Sequence, residues 1–305
     1  MNSAANLGRS RTGAVVLNWN AAEDTILTLA QLCHQGVDAW VVDNGSSASD
    51  LQMIKDSFPG VNLISNESNF GFALANNQAI ERILELDYEF VLMVNNDLRL
   101  GERAIELLES TLDDFPAAGS TAPVIYYPDG HTVWFAGASV NFRGASVPHI
   151  LKVKDRFPYE SEALNAACLL TRSSVLRRVG LFDVDFFAYF EDADLTLRMR
   201  GDGYLLLIQP AAKCTHEVSK SLGEGSPRQY YYYYRNRLYF CHKNAPPAEF
   251  RRATCTVLLD LIRLFWQAVR PLIRLRCHRA RWTRARWAVR GVLAFRKGYV
   301  GEIPQ

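Results

Sequence analysis

This 305-residue sequence predicts an α/β fold: a mostly parallel central sheet flanked by helices, continued by a basic amphipathic helical region at its C-terminal end. Three observations point there. Over the first 125 residues, short apolar runs alternate with segments of helical spacing, the pattern of parallel strands buried on both faces. Those runs end in polar residues, Asn18, Asp43 and Asn95-Asn96-Asp97, on the side of the sheet where such folds bind ligands. Finally, positive charge is concentrated near the end of the chain, after a body of 49% overall hydrophobic content that can bury a large core.

Residues 1–11 are polar and unpatterned and predict a disordered start. The run 14–18 is the first strand, and 24–33, opened by Asp24, has helical spacing. A second strand at 39–42 closes in the turn Asp43-Asn44-Gly45-Ser46-Ser47. A short helix at 49–57 and a third strand at 61–64 follow. Leu74, Ile80, Ile83 and Leu84 set a helix over 73–86, before a fourth strand at 90–94 and another helix at 102–115. The stretch 126–147 contains Pro-Asp-Gly and further glycines, which predict hairpins and loops. Strands are expected at 165–170 and 204–210, with a short helix at 192–200 between them. Tyrosines at 230–234 followed by Arg235-Asn236-Arg237 read as an aromatic helix over 229–244.

Residues 251–276 have amphipathic helical spacing. Val257, Leu258, Leu261, Ile262, Phe265, Val269, Leu272 and Ile273 mark one side and Arg263, Arg270 and Arg274 the other, with a kink expected at Pro271. Residues 249–305 hold thirteen Lys/Arg against three Asp/Glu, a net of about +10, while the rest of the chain is mildly acidic. Arg-rich and apolar faces flanked by Trp282 and Trp287 suit the plane of an anionic membrane surface. The same pattern also describes a helix packed on the body with a solvated basic face. Nucleic acid is the poorer partner, because the apolar face and the Trp residues fit lipid better. Six scattered cysteines form no C-x-x-C pair, which argues against a zinc ribbon or disulfide framework and fits a reducing compartment. There is no signal-peptide core at the start and no apolar run near the roughly 18 residues that span a bilayer. The expectation is a cytoplasmic protein, peripheral at the inner face of the membrane.

Four polar constellations and one histidine carry the chemistry. Asp43, at a strand end, can accept from a pyrimidine imide N–H or simply form its turn. Asn69, in Asn69-Phe70-Gly71-Phe72, caps a helix whose N-terminus can face a phosphate. Asn95-Asn96-Asp97 offers oxygen ligands to a divalent ion that keeps diphosphate oxygens in its shell, or a plain turn. Glu191-Asp192-Ala193-Asp194 supplies a general base in Asp192, with Asp194 spaced to pair with Arg198. His216, placed just after a strand, is either a core histidine or a metal ligand.

In order, VVLNWN (15–20), VVDNGSS (41–47), NFGFALANN (69–77), VLMVNNDL (91–98), FFAYFEDADLTLR (186–198), the His216 strand and YYRNRLYF (233–240) resemble family 2 glycosyltransferases of the GT-A fold. The branch they resemble is that of rhamnosyltransferases of cell-surface polysaccharide synthesis, and the resemblance spans 12–244. It implies a GT-A domain at 12–248, with a nucleotide-binding and an acceptor half, and a tail at 249–305. It implies that Asp43 meets the nucleobase, that Asp97 closes a DxD-type motif, that Asp192 is the base of an "ED" motif and that His216 is a further metal ligand. The full candidate set adds Asn18, Asn69, Asn76 and Asn96 toward the nucleotide sugar, Asn95 toward an Mg2+ or Mn2+ ion, and Glu191 and Trp134 toward the acceptor. Asn95 departs from the family pattern, which often has an acid there, so the metal should lean more on His216 and the donor. The implied reaction is an inverting transfer of L-rhamnose or a related hexose from a dTDP- or UDP-linked donor to a polysaccharide or lipid-linked hydroxyl. Two alternatives stand beside it. A sugar nucleotidyltransferase is disfavoured because Asn18-Trp19-Asn20-Ala21 replaces the Gly-rich basic loop it needs. A catalytically silent, membrane-associated scaffold is kept open by Asn95.

Overall fold

The computed structural model describes residues 10–217, 226–269 and 279–303. Strands β1 (Thr12–Asn18), β2 (Asp38–Asp43), β3 (Asn62–Ser65) and β4 (Phe90–Asn95) lie side by side and parallel in the order β3-β2-β1-β4. Helices α1 (Ala22–His34), α2 (Ala48–Ser57) and α3 (Gly71–Glu85) connect them. Ala14, Val15, Val16, Val91, Leu92 and Met93 have no exposure, as expected where helices cover both faces of a parallel sheet. Helix α3 lies so close over β1 that a Cβ on Gly13 would come within 2.7 Å of Ile83. The register puts Asn18 opposite Asp43, and Leu17 opposite both Val42 and Asn95, so the polar ends converge on one edge.

After β4 the chain departs from the simple alternation. Next come β5 (Leu98–Leu100), α4 (Ala104–Asp114), β6 (Ala118–Tyr126), β7 (Val133–Phe135) and β8 (Tyr159–Glu160). They are followed by β9 (Cys168–Arg172), α5 (Ser173–Val179), a 3-10 turn (Val184–Phe186), α6 (Glu191–Gly201) and β10 (Leu205–His216). The sheet continues β4-β9-β6-β10-β5, with β9 antiparallel to both neighbours. β6 has no counterpart among the expected strands, because its Ala-Gly-Ser-Thr-Ala-Pro start lacks a hydrophobic run although the strand is buried along nearly its whole length. β10 runs six residues beyond the expected strand end at 210. The strand passes through Pro210 because a register shift between Gln209 and Lys213 absorbs the missing N–H. His216 therefore ends a strand rather than following one.

Helices α7 (Pro227–Asn244), α8 (Pro247–Val269) and α9 (Arg279–Arg296) complete the described chain. α9 lies along α7, and α8 packs on both. The two helices approach closely at Gly291, where a Cβ would meet the Tyr231 carbonyl at 2.3 Å. The single apolar face expected of α8 is two faces. Ala253, Val257 and Ala268 are buried, whereas Leu258, Leu259, Ile262, Phe265 and Trp266 are exposed. The helix thus packs on the body and still presents an apolar stripe outward. Pro271 and its expected kink lie outside the described residues, as do residues 1–9. Among the described residues, no helix is long and apolar enough to cross a membrane.

Candidate active site

Two adjoining cavities, each of about 540 Å³, open at the ends of β1 and β4 and share Leu17, Trp19, Phe72, Asn95 and Asp97. One is also lined by Trp134, His149, Glu191, Asp192 and His216. The other runs past Glu23, Asp24, Asp50 and Asn96.

Asp97 and His216 meet because β5 pairs antiparallel with the end of β10, His216 opposite Leu98. A backbone bond from the Glu217 N–H to the Asp97 carbonyl, 3.1 Å, reinforces the pairing. The side chains are buried, with His216 Nε2 2.8 Å from Asp97 Oδ1. This is hydrogen-bond distance, and an imidazole nitrogen beside a carboxylate oxygen is also a donor pair that would bind a divalent cation in its place. Among the described residues no group of three His, Cys, Asp or Glu forms a metal cage. Remaining ligands would come from the Asn95 amide, water or the substrate. His216 Nδ1 is buried without a hydrogen-bond partner, and its ring packs edge-on to Trp134 at 4.6 Å.

Trp134 also contacts His149, 4.7 Å between ring centroids, and its carbonyl lies 3.2 Å from His149 Nδ1. Burial holds the His149 imidazole below its ordinary pKa, opposing the pull of the Asp192 carboxylate. His149 is a cavity residue with no signal in the sequence, since it lies in a stretch without readable periodicity.

Asp192 stands in the first turn of α6. Its carboxylate accepts from the backbone N–H groups of Ala166, 3.2 Å, and Ala193, 2.7 Å. Desolvation nevertheless raises its pKa above the usual carboxylate range. Glu191 beside it is raised further, by burial and then by the Asp192 charge, and its Oε2 is buried without a partner. Asp194 faces away and is fully buried, paired with Arg198 and Lys243 at 3.0 Å each, as its spacing from Arg198 predicted.

The remaining predicted residues divide. Asn95, Asn96, Asn69, Glu191 and Trp134 line a cavity. Asn69 also accepts from the Gly71 N–H, and Asn96 donates to Thr25. Asn18, Asp43 and Asn76 line neither. Asn18 is a buried hub donating to Asp43, Ser46 and Asp50, while Asp43 also accepts from the Ser46 N–H. These bonds serve the turn after β2, the plainer of the two roles open to Asp43. Asn76 is buried within α3 and donates to the Phe72 carbonyl one turn back. Asp50 of α2, not singled out from the sequence, joins Glu23, Asp24 and Asp97 in lining the second cavity.

This sheet, with acids and a histidine gathered at its strand ends, is the GT-A architecture of a glycosyltransferase. The chain belongs to glycosyl transferase family 2, whose family model matches residues 14–180, and it is rhamnosyltransferase-like. It is 28% identical over 224 residues to the N-acetylglucosaminyl-diphospho-decaprenol L-rhamnosyltransferase of Mycobacterium tuberculosis, covering 66% of this chain and 73% of the relative. It is 24% identical over 243 residues to a dTDP-rhamnosyl transferase of Shigella flexneri, covering 77% and 81%. Among solved structures, GalNAc-T7 with UDP, GalNAc and Mn2+ superposes with a TM-score of 0.58 at 14% identity, covering 73% of this chain. This chain spans about half of that protein, 47%. A mannosyltransferase from Pyrobaculum calidifontis, in complex with GDP-Man and Mn2+, gives 0.56 at 15% identity, covering 94% and 87%. These two structural likenesses establish the fold.

Proposed function

We propose that this glycosyltransferase moves L-rhamnose or a related hexose, with inversion, from a dTDP- or UDP-linked donor to a hydroxyl of a polysaccharide or lipid-linked acceptor. The observation that carries the reading is that Asp192 and the Asp97–His216 pair line one cavity. The rhamnosyltransferase names of the relatives favour the sugar, and the decaprenol-linked acceptor in one name favours a lipid carrier.

In this reading the nucleoside occupies the cavity beside Asp50 and Asn96, and its diphosphate reaches Asp97 and His216 at the junction. These two residues, with Asn95, would hold a divalent cation, Mg2+ or Mn2+. When bound, such a cation neutralises charge on the departing diphosphate. The acceptor lies against Trp134 and Glu191, and Asp192 removes the proton from its hydroxyl as that oxygen attacks the anomeric carbon opposite the leaving group. One carboxylate suffices, because a diphosphate leaves without the protonation that glycoside hydrolysis requires. The elevated Asp192 pKa makes it a stronger base than an exposed aspartate. The exposed stripe of α8, with Arg263 on the same helix, supports docking on an anionic membrane where lipid carriers lie.

The test is Asp192→Asn. Transfer should fall by about 100-fold or more, while binding of a nucleoside diphosphate with Mn2+, followed by calorimetry, stays within about threefold of the parent by the same argument. Transfer at the parental rate would remove Asp192 as the base. A panel of nucleotide sugars, screened by slow donor hydrolysis, identifies the donor.

A further inference from the structure

The turn that delivers Asp192 is held in an unusual backbone. Phe187, Tyr189 and Phe190, all non-glycine, have φ of +60°, +71° and +73°. Such conformations persist only where the surroundings over-determine them. Here the surroundings are two adjacent side chains of α7. Asn236 Nδ2 donates to the carbonyls of Phe186 (2.7 Å), Ala188 (2.6 Å) and Tyr189 (3.1 Å). Arg235 Nη2 donates to Asp185 (2.9 Å) and Phe186 (2.8 Å). Arg235 Nε also donates to Asn236 Oδ1 at 2.7 Å, which fixes the orientation of the amide. Both side chains are buried, and neither lines the cavities. On the far side of Asp192, α7 takes hold again through Lys243 and Asn244, each 3.0 Å from Asp194. Asp192 is thus bracketed by two attachments to one helix.

We propose that Asn236, oriented by Arg235, is a positioning residue for the transfer reaction: it holds the left-handed turn at 187–190 so that Asp192 is aimed at the acceptor hydroxyl. The inference rests on the reading of Asp192 as the base. Asn236 acts through the backbone and touches no substrate, so its loss should move kcat and leave donor binding alone. Misplacing a reacting group by about 1 Å costs on the order of 100-fold in rate.

The experiment is Asn236→Ser in the full chain, with active sites counted by titration with UDP or dTDP and Mn2+. We expect kcat per nucleotide-binding site to fall by roughly 100-fold, with donor KM unchanged. A merely structural role would lower the number of competent sites and leave kcat per site at the parental value, which overturns the proposal. Where Asn236→Ser gives no folded protein, Arg235→Lys, which keeps the buried charge but not the fork, is read by the same two numbers and decides the matter. Asp192→Asn run alongside separates the two ideas. If it retains turnover, the base assignment fails. If it is inactive while Asn236→Ser keeps its kcat, only the positioning role fails.

Discussion

Gly71 is where α3 meets the turn before Asp192, and Gly71→Ala tests that junction quantitatively. Its φ is +82°, and an added Cβ would lie 2.6 Å from the Phe187 carbonyl oxygen and 2.7 Å from the Phe187 ring. The left-handed backbone alone costs an alanine about 1–2 kcal/mol. Ordinary carbon–oxygen contacts sit at about 3.3–3.6 Å, so something must yield by roughly 0.7–1 Å. Backbone constrains the carbonyl, which also accepts from the Phe72 N–H at 2.6 Å. Overpacking of this kind adds about 1–3 kcal/mol, for a total of roughly 2–5 kcal/mol out of the 5–15 kcal/mol that stabilise a typical protein. Gly36→Ala is the internal control. Gly36 has a similar φ of +71° and nothing within 4 Å of its Cβ position, so that variant bears the conformational cost alone. The assay is urea unfolding of both variants with kcat measured on the folded protein. Gly71→Ala should be the less stable by the steric increment and should lose activity, while Gly36→Ala keeps its kcat. Equal stabilities and an unchanged kcat would refute the argued contact between α3 and the turn.

Glu191 binds a proton in the folded protein over a pH range where the unfolded chain has released it, so it lowers stability as pH rises through its elevated pKa. Glu191→Gln should therefore melt higher than the parent at pH 8, by about 1.4 kcal/mol for each tenfold change in acidity. The advantage should close below about pH 4.3, the ordinary glutamate value; parallel melting curves across pH would contradict it. For the exposed stripe, Ile262→Ser with Trp266→Ser alters side chains that are 53% and 61% exposed, so folding should be unaffected. At about 1.5 kcal/mol lost for each, partition onto vesicles rich in anionic lipid should drop roughly 100-fold, measured by flotation. Undiminished binding would leave the stripe without that role.

How far the sequence could be read follows the kind of force at work. Strands β1, β2 and β4 were legible because a strand buried on both faces must be largely apolar, and Asn95 to Asp97 stood out as polar residues where that rule ends. β6 escaped because its burial is met by Ala, Ser and Thr rather than large side chains. Asp97 and His216 were each singled out as candidate metal ligands, but their contact depends on β5, three residues that no pattern reveals. Asp43 and Asn18 were placed at the right strand ends, yet their hydrogen bonds turn inward, which depends on geometry rather than residue type. The tyrosine-rich helix was visible, but its grip on the backbone of 185–190 was not, because carbonyl groups have no letter in a sequence.

The two halves of the site are held by different means, and this bears on the C-terminal helices. Asp97 and His216 are fixed by ladder hydrogen bonds between strands, which tolerate little movement. Asp192 depends on α7, and α7 is in turn the surface on which α9 lies. Tyr232 of α7 stacks on Phe187 in the turn, with centroids 4.6 Å apart and planes 7° from parallel. The Tyr232 hydroxyl accepts from the Ile303 N–H, and Arg235 reaches the Gly301 carbonyl, whose own N–H returns to Asp185. The segment after α9 therefore closes a ring of contacts around the same turn that Asn236 holds. A perturbation that lifted α9 from α7 would reach Phe187 through Tyr232 and Gly301 before it reached any strand. Loss of the C-terminal contacts should for this reason disturb Asp192 and leave the Asp97–His216 pair intact.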